Sequence, residues 1–231
     1  MHDKSIWFND DIQYIINGNI MEYDMTAASV SVSEYYHLLD EEVISMLKLM
    51  PKEQRTKKMG LIQRDNKEFS KNLISSIRKH RKRFIEDNGL SEENILSLHS
   101  DAVIMNTKQK INGNIDGIIF RKKGNWSSYI KYDKIEMFYS DGYITYKGIP
   151  EEMRMQHTLG INEYLIKVIE MLENMDPGIL IFLKKFQAEY MRDELPQFYY
   201  PSFGIVGDYK LENLNLFAFI TNIVLNEMKG W

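Results

Sequence analysis

The chain has 231 residues, of which 44% are hydrophobic and 27% charged, and its net charge is -4. This length suits one large domain, or a compact domain with a smaller one beside it. The absence of cysteine excludes disulfides, thiolate metal sites and cysteine nucleophiles, and it fits a reducing cytosol. No apolar run approaches the roughly 18 residues of a membrane span, and the N-terminus MHDKSIWFNDD lacks a signal-peptide pattern. We therefore expect a cytoplasmic protein.

Positive charge is concentrated between Lys52 and Arg83. This stretch contains twelve Lys or Arg residues and three acidic residues, which gives a local charge of +9 and leaves -13 for the rest of the chain. Such segregation indicates a directed contact with phosphates, although a solvated helix face produces the same composition. Because the chain has five His and no Cys, any metal is expected on carboxylates, which favours magnesium or manganese.

The first part of the chain is predicted to contain one strand and several helices. A short helix or turn is expected at residues 12–18, and residues 19–25 alternate like a strand. Helices are expected after this strand at residues 27–39, at 41–50, from residue 51 to Gly60 within the stretch 51–65, and at 66–88. The last of these helices is the clearest, because an apolar stripe crosses its dense positive charge and Gly89 can form the C-cap.

The second part begins with strands and ends with helices. Residues 94–106 indicate two short strands that fold back at Ser100 and Asp101. Further strands are expected at 115–121, 127–139 and 143–148, with the hairpin turn SDG at 140–142. Helices are expected at residues 152–174, 179–192 and 211–228. This order predicts an α+β fold with an antiparallel sheet in residues 1–150 and an all-helical region at 151–231.

Two acidic residues lie where predicted strands end. Asp24 closes the strand at 19–25, and Asp101 lies at the tip of the hairpin. If these strands are neighbours, the carboxylates lie a few Å apart, and a divalent cation relieves their repulsion. Magnesium takes one or two protein carboxylates and completes its shell with water and phosphate oxygens. Each residue also has an ordinary explanation, Asp24 as a helix cap and Asp101 as a turn former.

Several motifs resemble those of family B DNA polymerases. YDMTAASVSVS is similar to the first palm motif, with Asp24, Ala27 and Ser31 at matching places. ILSLHSDAVIM resembles the later palm hairpin, with Asp101 at the catalytic position, and a basic amphipathic helix precedes it as in the family. The following strand pair resembles a stretch with a Lys and a Tyr before a terminal Lys-Gly, matched by Tyr129, Lys131, Lys147 and Gly148. The resemblance covers residues 19–150.

This resemblance implies a minimal polymerase-like palm at residues 1–150, with reduced fingers at about 41–65 and a thumb-like helical region at 151–231. The implied reaction is nucleotidyl transfer, in which a nucleic-acid 3′-hydroxyl attacks the α-phosphorus of a nucleoside triphosphate and pyrophosphate leaves. Asp24 and Asp101 are expected to bind Mg²⁺ or Mn²⁺. The triphosphate is expected on Lys52, Arg55 and Lys58. The primer-template backbone is expected on Arg121, Lys122, Lys131 and Lys147. Such compact palms are typical of mobile elements and bacterial viruses.

The chain also departs from the family pattern, and these departures leave other functions open. The first Asp of the hairpin motif is replaced by His99, and the aromatic residue that excludes ribonucleotides would fall at Ser29. One alternative is a catalytically inactive palm-like subunit or inhibitor that binds nucleic acid or a host polymerase. Another is an interaction protein whose aromatic loop, residues 195–204, anchors a protein partner. The candidate anchors in that loop are Phe198, Tyr199, Tyr200 and Phe203.

Overall fold

A computed structural model describes residues 4–148, 159–200 and 206–231. Helices and two antiparallel sheets occur together in it, which confirms the predicted α+β class. Two compact units are distinguished. The first comprises Met1–Asp10 and Ile20–Asn125, and the second comprises Asp11–Asn19 and Trp126–Trp231.

The strands and helices are numbered in chain order. The strands are β1 (Ile6–Phe8), β2 (Tyr14–Ile15), β3 (Ile20–Met25), β4 (Ile95–His99), β5 (Ala102–Asn106), β6 (Asn114–Ile115), β7 (Ile118–Trp126), β8 (Ser128–Tyr132), β9 (Ile135–Ser140) and β10 (Tyr143–Lys147). The helices are α1 (Ala28–Tyr35), α2 (Glu41–Leu49), α3 (Lys52–Asp65), α4 (Lys67–Asp87), α5 (Leu159–Glu173), α6 (Ile179–Met191) and α7 (Val206–Glu227). Short 3₁₀ turns occur at Glu92–Asn94, Gln197–Tyr199 and Met228–Gly230.

The first unit is built on a six-stranded sheet with the order β1-β4-β5-β3-β7-β6. Strands β3 and β5 are antiparallel neighbours, with Met21 opposite Met105 and Asp24 opposite Ala102. Because side chains alternate along a strand, Met21 and Met25 join the apolar core of this unit while Asp24 lies on the other face. Alternation along β3 therefore places Asp24, at the end of the strand, on the face opposite the core.

Helix α4 supplies much of the first unit's core. Its buried residues include Phe69, Leu73, Phe84 and Ile85, which follow a helical spacing. Asn66 precedes the helix, and its side-chain oxygen accepts a hydrogen bond of 2.9 Å from the Phe69 N–H. This is an N-cap interaction, typically worth about 1 kcal/mol. Burial of one face and a satisfied first turn explain why the helix predicted at 66–88 forms at Lys67–Asp87.

The second unit combines a four-stranded sheet with helices. Its strand order is β10-β9-β8-β2, and its core includes Ile130, Met137, Val168, Leu183 and Ile220 from β8, β9, α5, α6 and α7. Strand β2 reaches this sheet from early in the chain, because Tyr14 pairs with Ile130 and Ile15 with Tyr129. The predicted helix or turn at residues 12–18 is therefore wrong at Tyr14–Ile15.

Other boundaries differ from the predictions for local reasons. The single strand predicted at 127–139 is a hairpin of β8 and β9, which turns at Asp133 with a positive φ of 54°. Asn125 is the last residue of the first compact unit, and the division predicted at residue 150 stays a prediction. Residues 149–158, where the helix at 152–174 was expected to begin, lie outside the described residues. Within the described ranges, no helix has both the length and the apolar character needed to cross a membrane.

Candidate active site

Asp24 lies at the end of β3, next to a tight turn of small residues. Ala27 adopts a left-handed conformation with φ 49° and forms the N-cap of α1 without a side-chain capping bond. The Ser31 hydroxyl donates a hydrogen bond of 2.9 Å to the Thr26 carbonyl, which ties α1 back to the turn. The N-cap position of this helix is thus occupied by Ala27 and not by Asp24.

Asp101 lies in the turn that joins β4 to β5, as the hairpin pattern predicts. The preceding residue, Ser100, has a positive φ of 44°. The Met25 N–H donates a hydrogen bond of 3.1 Å to the Asp101 carbonyl, and Asp24 faces Ala102 across the β3–β5 pair. The pairing of these two strands therefore brings the ends that carry Asp24 and Asp101 together.

A cavity of about 660 Å³ in the first unit contains both acidic residues in its wall. Four basic residues also line it, namely Lys52, Arg55, Arg121 and Lys123. Most of the remaining wall consists of the turn after β3 and the facing side of α3. Two carboxylates and four cations in one cavity are suited to a ligand that carries both a metal ion and phosphate groups.

The charges in the cavity influence one another. Lys123 Nζ lies 3.9 Å from Asp24 Oδ2, in a partly exposed ion pair. Burial raises the pKa of the Asp101 carboxyl above its usual value, and the charge of Glu22 raises it further. A hydrogen bond from its own backbone and the positive charge of Arg81 oppose this rise. A divalent cation at this position favours the ionised carboxylate.

The three cations predicted to hold a triphosphate are not equivalent in the structure. Lys52 and Arg55 line the cavity, whereas Lys58 is exposed and does not line it. The side of α3 that faces the cavity also carries Thr56, Met59, Gly60 and Gln63. A helix turns by about 100° per residue, so Lys58 lies well away from this side. A repeat of three residues does not keep three side chains on one helix face.

The residues predicted to contact nucleic acid are also divided. Arg121 lines the cavity, and Lys122 donates a hydrogen bond of 2.8 Å to the Asn125 side chain. In the second unit, Lys131 and Lys147 both lie opposite Glu136 in the sheet register. Lys131 is only 7% exposed, which leaves little surface for a phosphate. This burial argues against the backbone contact predicted for Lys131.

Lys123 is a residue of the cavity that the sequence patterns did not single out. It lies two positions after Arg121 on β7, and both side chains line the cavity. The predicted strand ends at residue 121, so its alternation did not extend to Lys123. Strand β7 continues to Trp126, and residues two apart on a strand share a face, which places Lys123 with Arg121.

The donor atoms present fit a magnesium-type ion held by few protein ligands. No group of three or more His, Cys, Asp or Glu residues suited to a metal occurs in the described part of the chain. Magnesium is commonly held by one or two carboxylates, with water and substrate oxygens as its other ligands. Asp24 and Asp101 supply that minimum. His99, which replaces the first hairpin acid, ends β4 opposite Ala102 and makes an edge-on ring contact with Phe8.

The aromatic loop of the second unit is packed against α5 and α6. The Tyr199 ring lies 5.4 Å from that of Phe186, and its hydroxyl donates to Glu163. Burial, followed by this hydrogen bond and the Glu163 charge, raises the pKa of Tyr199 to about 12. Phe198 is 47% exposed, while the predicted anchor Phe203 lies outside the described residues. Tyr199 therefore serves to dock the loop on its own unit.

Comparison with known protein families gives a match over nearly the whole chain. No curated protein matches the chain, whereas the family model described as "Bacteriophage PBS1 gene 130 protein" matches residues 1–230. A bacteriophage family is consistent with the expected phage-type protein. The match does not test the polymerase resemblance, which stays a prediction. Since the match spans nearly the whole sequence, the chain belongs to the family of the bacteriophage PBS1 gene 130 protein.

Proposed function

We propose that the protein is a minimal polymerase-like nucleotidyltransferase that adds nucleotides to a nucleic-acid 3′-hydroxyl. One observation carries this proposal: a single cavity is lined by Asp24, Asp101, Lys52 and Arg55, which come from three separate parts of the sequence. The carboxylates lie on the ends of paired strands, and the cations lie on a helix across the cavity. This is the combination expected for a nucleotide bound together with a metal ion.

Each cavity residue has a distinct role in the proposal. Lys52 and Arg55 bind the triphosphate and stabilise the negative charge that develops on the leaving pyrophosphate. Arg121 and Lys123 hold the primer end or the phosphates of the incoming nucleotide, since both line the same wall. Asp24 and Asp101 hold Mg²⁺ or Mn²⁺. When bound, such an ion supplies charge stabilisation for the attacking and leaving oxygens.

The turn after β3 lines the cavity with small residues, and the nucleotide binds next to them in this proposal. Ala27, Ala28 and Ser29 line the cavity, and none of them carries a bulky side chain. The family resemblance places the residue that excludes ribonucleotides at Ser29. We therefore propose weak discrimination between ribonucleotides and deoxyribonucleotides, because the Ser29 side chain is too short to block a 2′-hydroxyl.

The decisive experiment compares Asp24→Asn and Asp101→Asn with wild-type protein in two assays. Extension of a labelled primer with Mg²⁺ and mixed nucleotides measures turnover, and the electron paramagnetic resonance of free Mn²⁺ measures metal binding. We expect each variant to lose turnover by at least about 100-fold and to bind Mn²⁺ more weakly, since the amide keeps the shape but not the charge. Asp65→Asn is the control, because Asp65 is exposed at the end of α3 and does not line the cavity.

In a second candidate function, the protein has the palm-like fold but does not catalyse nucleotidyl transfer. The presence of His99 where the family has an acid favours a catalytically inactive palm-like protein that binds nucleic acid or a polymerase. Wild-type protein that binds a primer-template but neither extends it nor binds Mn²⁺ through Asp24 and Asp101 would favour this candidate. Loss of turnover in both Asn variants, with retained thermal unfolding, would exclude it.

A further inference from the structure

Arg81 is a buried cation on α4, with 0% of its surface exposed. Among the described residues, its guanidinium donates hydrogen bonds to three backbone carbonyls. Nη1 bonds the Ser100 carbonyl at 2.7 Å and the Ser5 carbonyl at 3.4 Å, and Nη2 bonds the Lys4 carbonyl at 2.6 Å. A buried guanidinium carries a desolvation cost that an apolar side chain of similar size does not. The guanidinium has several N–H donors in a fixed planar geometry, so it can bond carbonyls of several chain segments at once.

The segments that Arg81 joins include the turn that carries Asp101. The Ser100 N–H donates a hydrogen bond of 2.6 Å to the Ser5 carbonyl, so Ser5 is bound both to the turn and to Arg81. Ser100 has a positive φ of 44°, a conformation that is unfavourable for residues other than glycine and persists where surrounding contacts enforce it. The contacts with Arg81 and Ser5 satisfy both backbone polar groups of Ser100.

Both peptide planes that flank Asp101 are therefore held. The plane before Asp101 is fixed through the Ser100 carbonyl by Arg81. The plane after it is fixed through the Asp101 carbonyl by the Met25 N–H at 3.1 Å. Because peptide units are rigid, a residue between two fixed planes has little freedom in φ and ψ. The direction of its Cα–Cβ bond is fixed with them, which restricts its carboxylate to the positions that the χ1 and χ2 rotamers allow.

We propose that Arg81 is a positioning residue, which fixes the β4–β5 turn and thereby aims the Asp101 carboxylate into the cavity. The consequence for metal binding rests on the proposed function, whereas the consequence for the turn does not. Arg81 does not line the cavity, so it acts on a ligand there through the backbone of Ser100 and Asp101 and through its positive charge, which is felt by the Asp101 carboxyl. Loss of that charge alone would favour a bound cation, so a fall in Mn²⁺ affinity reports the turn, and Arg81→Lys keeps the charge. A side chain of equal bulk without donors leaves the Ser100 carbonyl unpaired and the turn mobile.

The test uses Arg81→Met, Arg81→Lys and the matched control Arg78→Met in the full chain. Arg78 lies three residues earlier on α4 and donates a hydrogen bond of 2.5 Å to the Ser5 hydroxyl, so its loss disturbs the same N-terminal segment without removing the bond to Ser100. Hydrogen exchange of the Ser100 amide reports the turn. Binding of Mn²⁺, measured by the electron paramagnetic resonance of the free ion, reports the carboxylate site.

For Arg81→Met we expect exchange at the Ser100 amide to be at least about tenfold faster than in wild-type protein. We also expect Mn²⁺ affinity to fall by about 10- to 100-fold, as is typical when a group that orients a ligand is lost. Arg81→Lys should recover part of the slow exchange at Ser100 and part of the Mn²⁺ affinity. A lysine ammonium can reach one carbonyl but cannot bond Lys4 and Ser100 at the same time. Arg78→Met should leave both readouts near wild type.

The proposal is overturned if Arg81→Met keeps wild-type exchange at Ser100, or if Arg78→Met accelerates that exchange equally. Should Arg81→Met unfold, Arg81→Lys decides, since exchange at Ser100 indistinguishable from wild type in that variant contradicts a requirement for the forked donor. Failure of the proposed function has a different signature: wild-type protein would then bind no Mn²⁺ through Asp24 and Asp101. Hydrogen exchange at Ser100 still tests the positioning role of Arg81 in that case.

Discussion

His80 is a buried histidine of α4 whose contacts favour the neutral form of its ring. Its side chain is fully buried, its ring stacks on Phe120 at a centroid distance of 6.2 Å, and Nε2 lies 2.9 Å from the Ile115 carbonyl. Only a protonated Nε2 can donate to that carbonyl, and Nδ1 has no hydrogen-bond partner among the described residues. The ring is therefore best accommodated in its neutral form.

Burial is the largest effect that lowers the pKa of His80, and Arg83 lowers it further. The hydrogen bond to Ile115 and the charges of Asp116 and Asp87 act in the opposite direction. Because the folded pKa lies below the unfolded value of about 6.5, the unfolded state binds more protons at mildly acidic pH. The resulting stability is fully present above about pH 6.5 and is lost as the pH falls toward the folded pKa.

We predict that the free energy of unfolding, measured by urea denaturation, decreases from pH 7 to pH 5, and that His80→Phe removes much of this decrease. The slope from one His cannot exceed about 1.4 kcal/mol per pH unit. His37→Asn is the control, because Asn tolerates the positive φ of 50° at this position and the change leaves His80 in place. An equal slope in wild-type protein and His80→Phe would show that another group causes the acid sensitivity.

At the scale of single elements, α3 determines which cations serve the cavity. Lys52 and Arg55 lie on its cavity-facing side, together with Thr56, Met59 and Gln63. Lys58 has the same charge and lies on the same helix but on another side. Comparing Lys58 with Lys52 and Arg55 therefore shows whether ligand binding needs a cation that lines the cavity or only positive charge on the same helix.

We predict that Lys52→Ala and Arg55→Ala each weaken binding of a fluorescent nucleoside triphosphate by about 10- to 100-fold, since each removes a charge-assisted hydrogen bond worth about 1.5–3 kcal/mol. Lys58→Ala should change the affinity by less than about threefold at physiological salt, because exposed charges that do not contact the ligand are screened. Fluorescence anisotropy measures the dissociation constants. Equal losses in all three variants would mean that α3 acts only through its net charge.

The elements also show what the sequence could predict. Strand β3, the β4–β5 hairpin and helix α4 followed from hydrophobic period and turn residues, because each has a single consistent pattern. Strand β2 did not, since two residues cannot display a period and Tyr14–Ile15 is a strand only through its pairing with β8. The exclusion of Lys58 needed the helix register, and the inclusion of Lys123 needed the strand register.

The proximity of Asp24 and Asp101 was expected only if their strands were neighbours, and no local pattern specifies which strands pair. The role proposed for Arg81 could not be predicted from the sequence. A basic residue among twelve Lys and Arg between Lys52 and Arg83 gives no sign that its side chain turns inward. Its function depends on carbonyls at Lys4, Ser5 and Ser100, which side-chain patterns do not reveal.

At the scale of the whole molecule, the cavity belongs to one compact unit. All the residues that line it lie between Asp24 and Lys123, and this unit's own residues end at Asn125. Its six-stranded sheet and its core also come from the residues that precede this end, β1 included. Binding of nucleotide and metal should therefore depend on the first unit alone.

We predict that a chain ending at Asn125 still binds Mn²⁺ and a nucleoside triphosphate, within about threefold of the full-length affinities, because it retains every lining residue and its core. Primer extension should be reduced far more, if the second unit holds the nucleic acid as the thumb-like role implies. Circular dichroism checks that the shortened chain is folded. A folded but non-binding fragment would contradict the assignment of the site to the first unit.

Strand β2 has a consequence for the order in which the molecule assembles. The partners of Tyr14 and Ile15, which are Ile130 and Tyr129, are synthesised more than a hundred residues later. Closing so long a loop is entropically costly and slow compared with forming local hairpins. During synthesis, residues 11–19 must therefore remain unpaired while the surrounding β-strands of the first unit can already meet. The β2–β8 pair of the second unit can thus form only after the strands of the first unit have been synthesised.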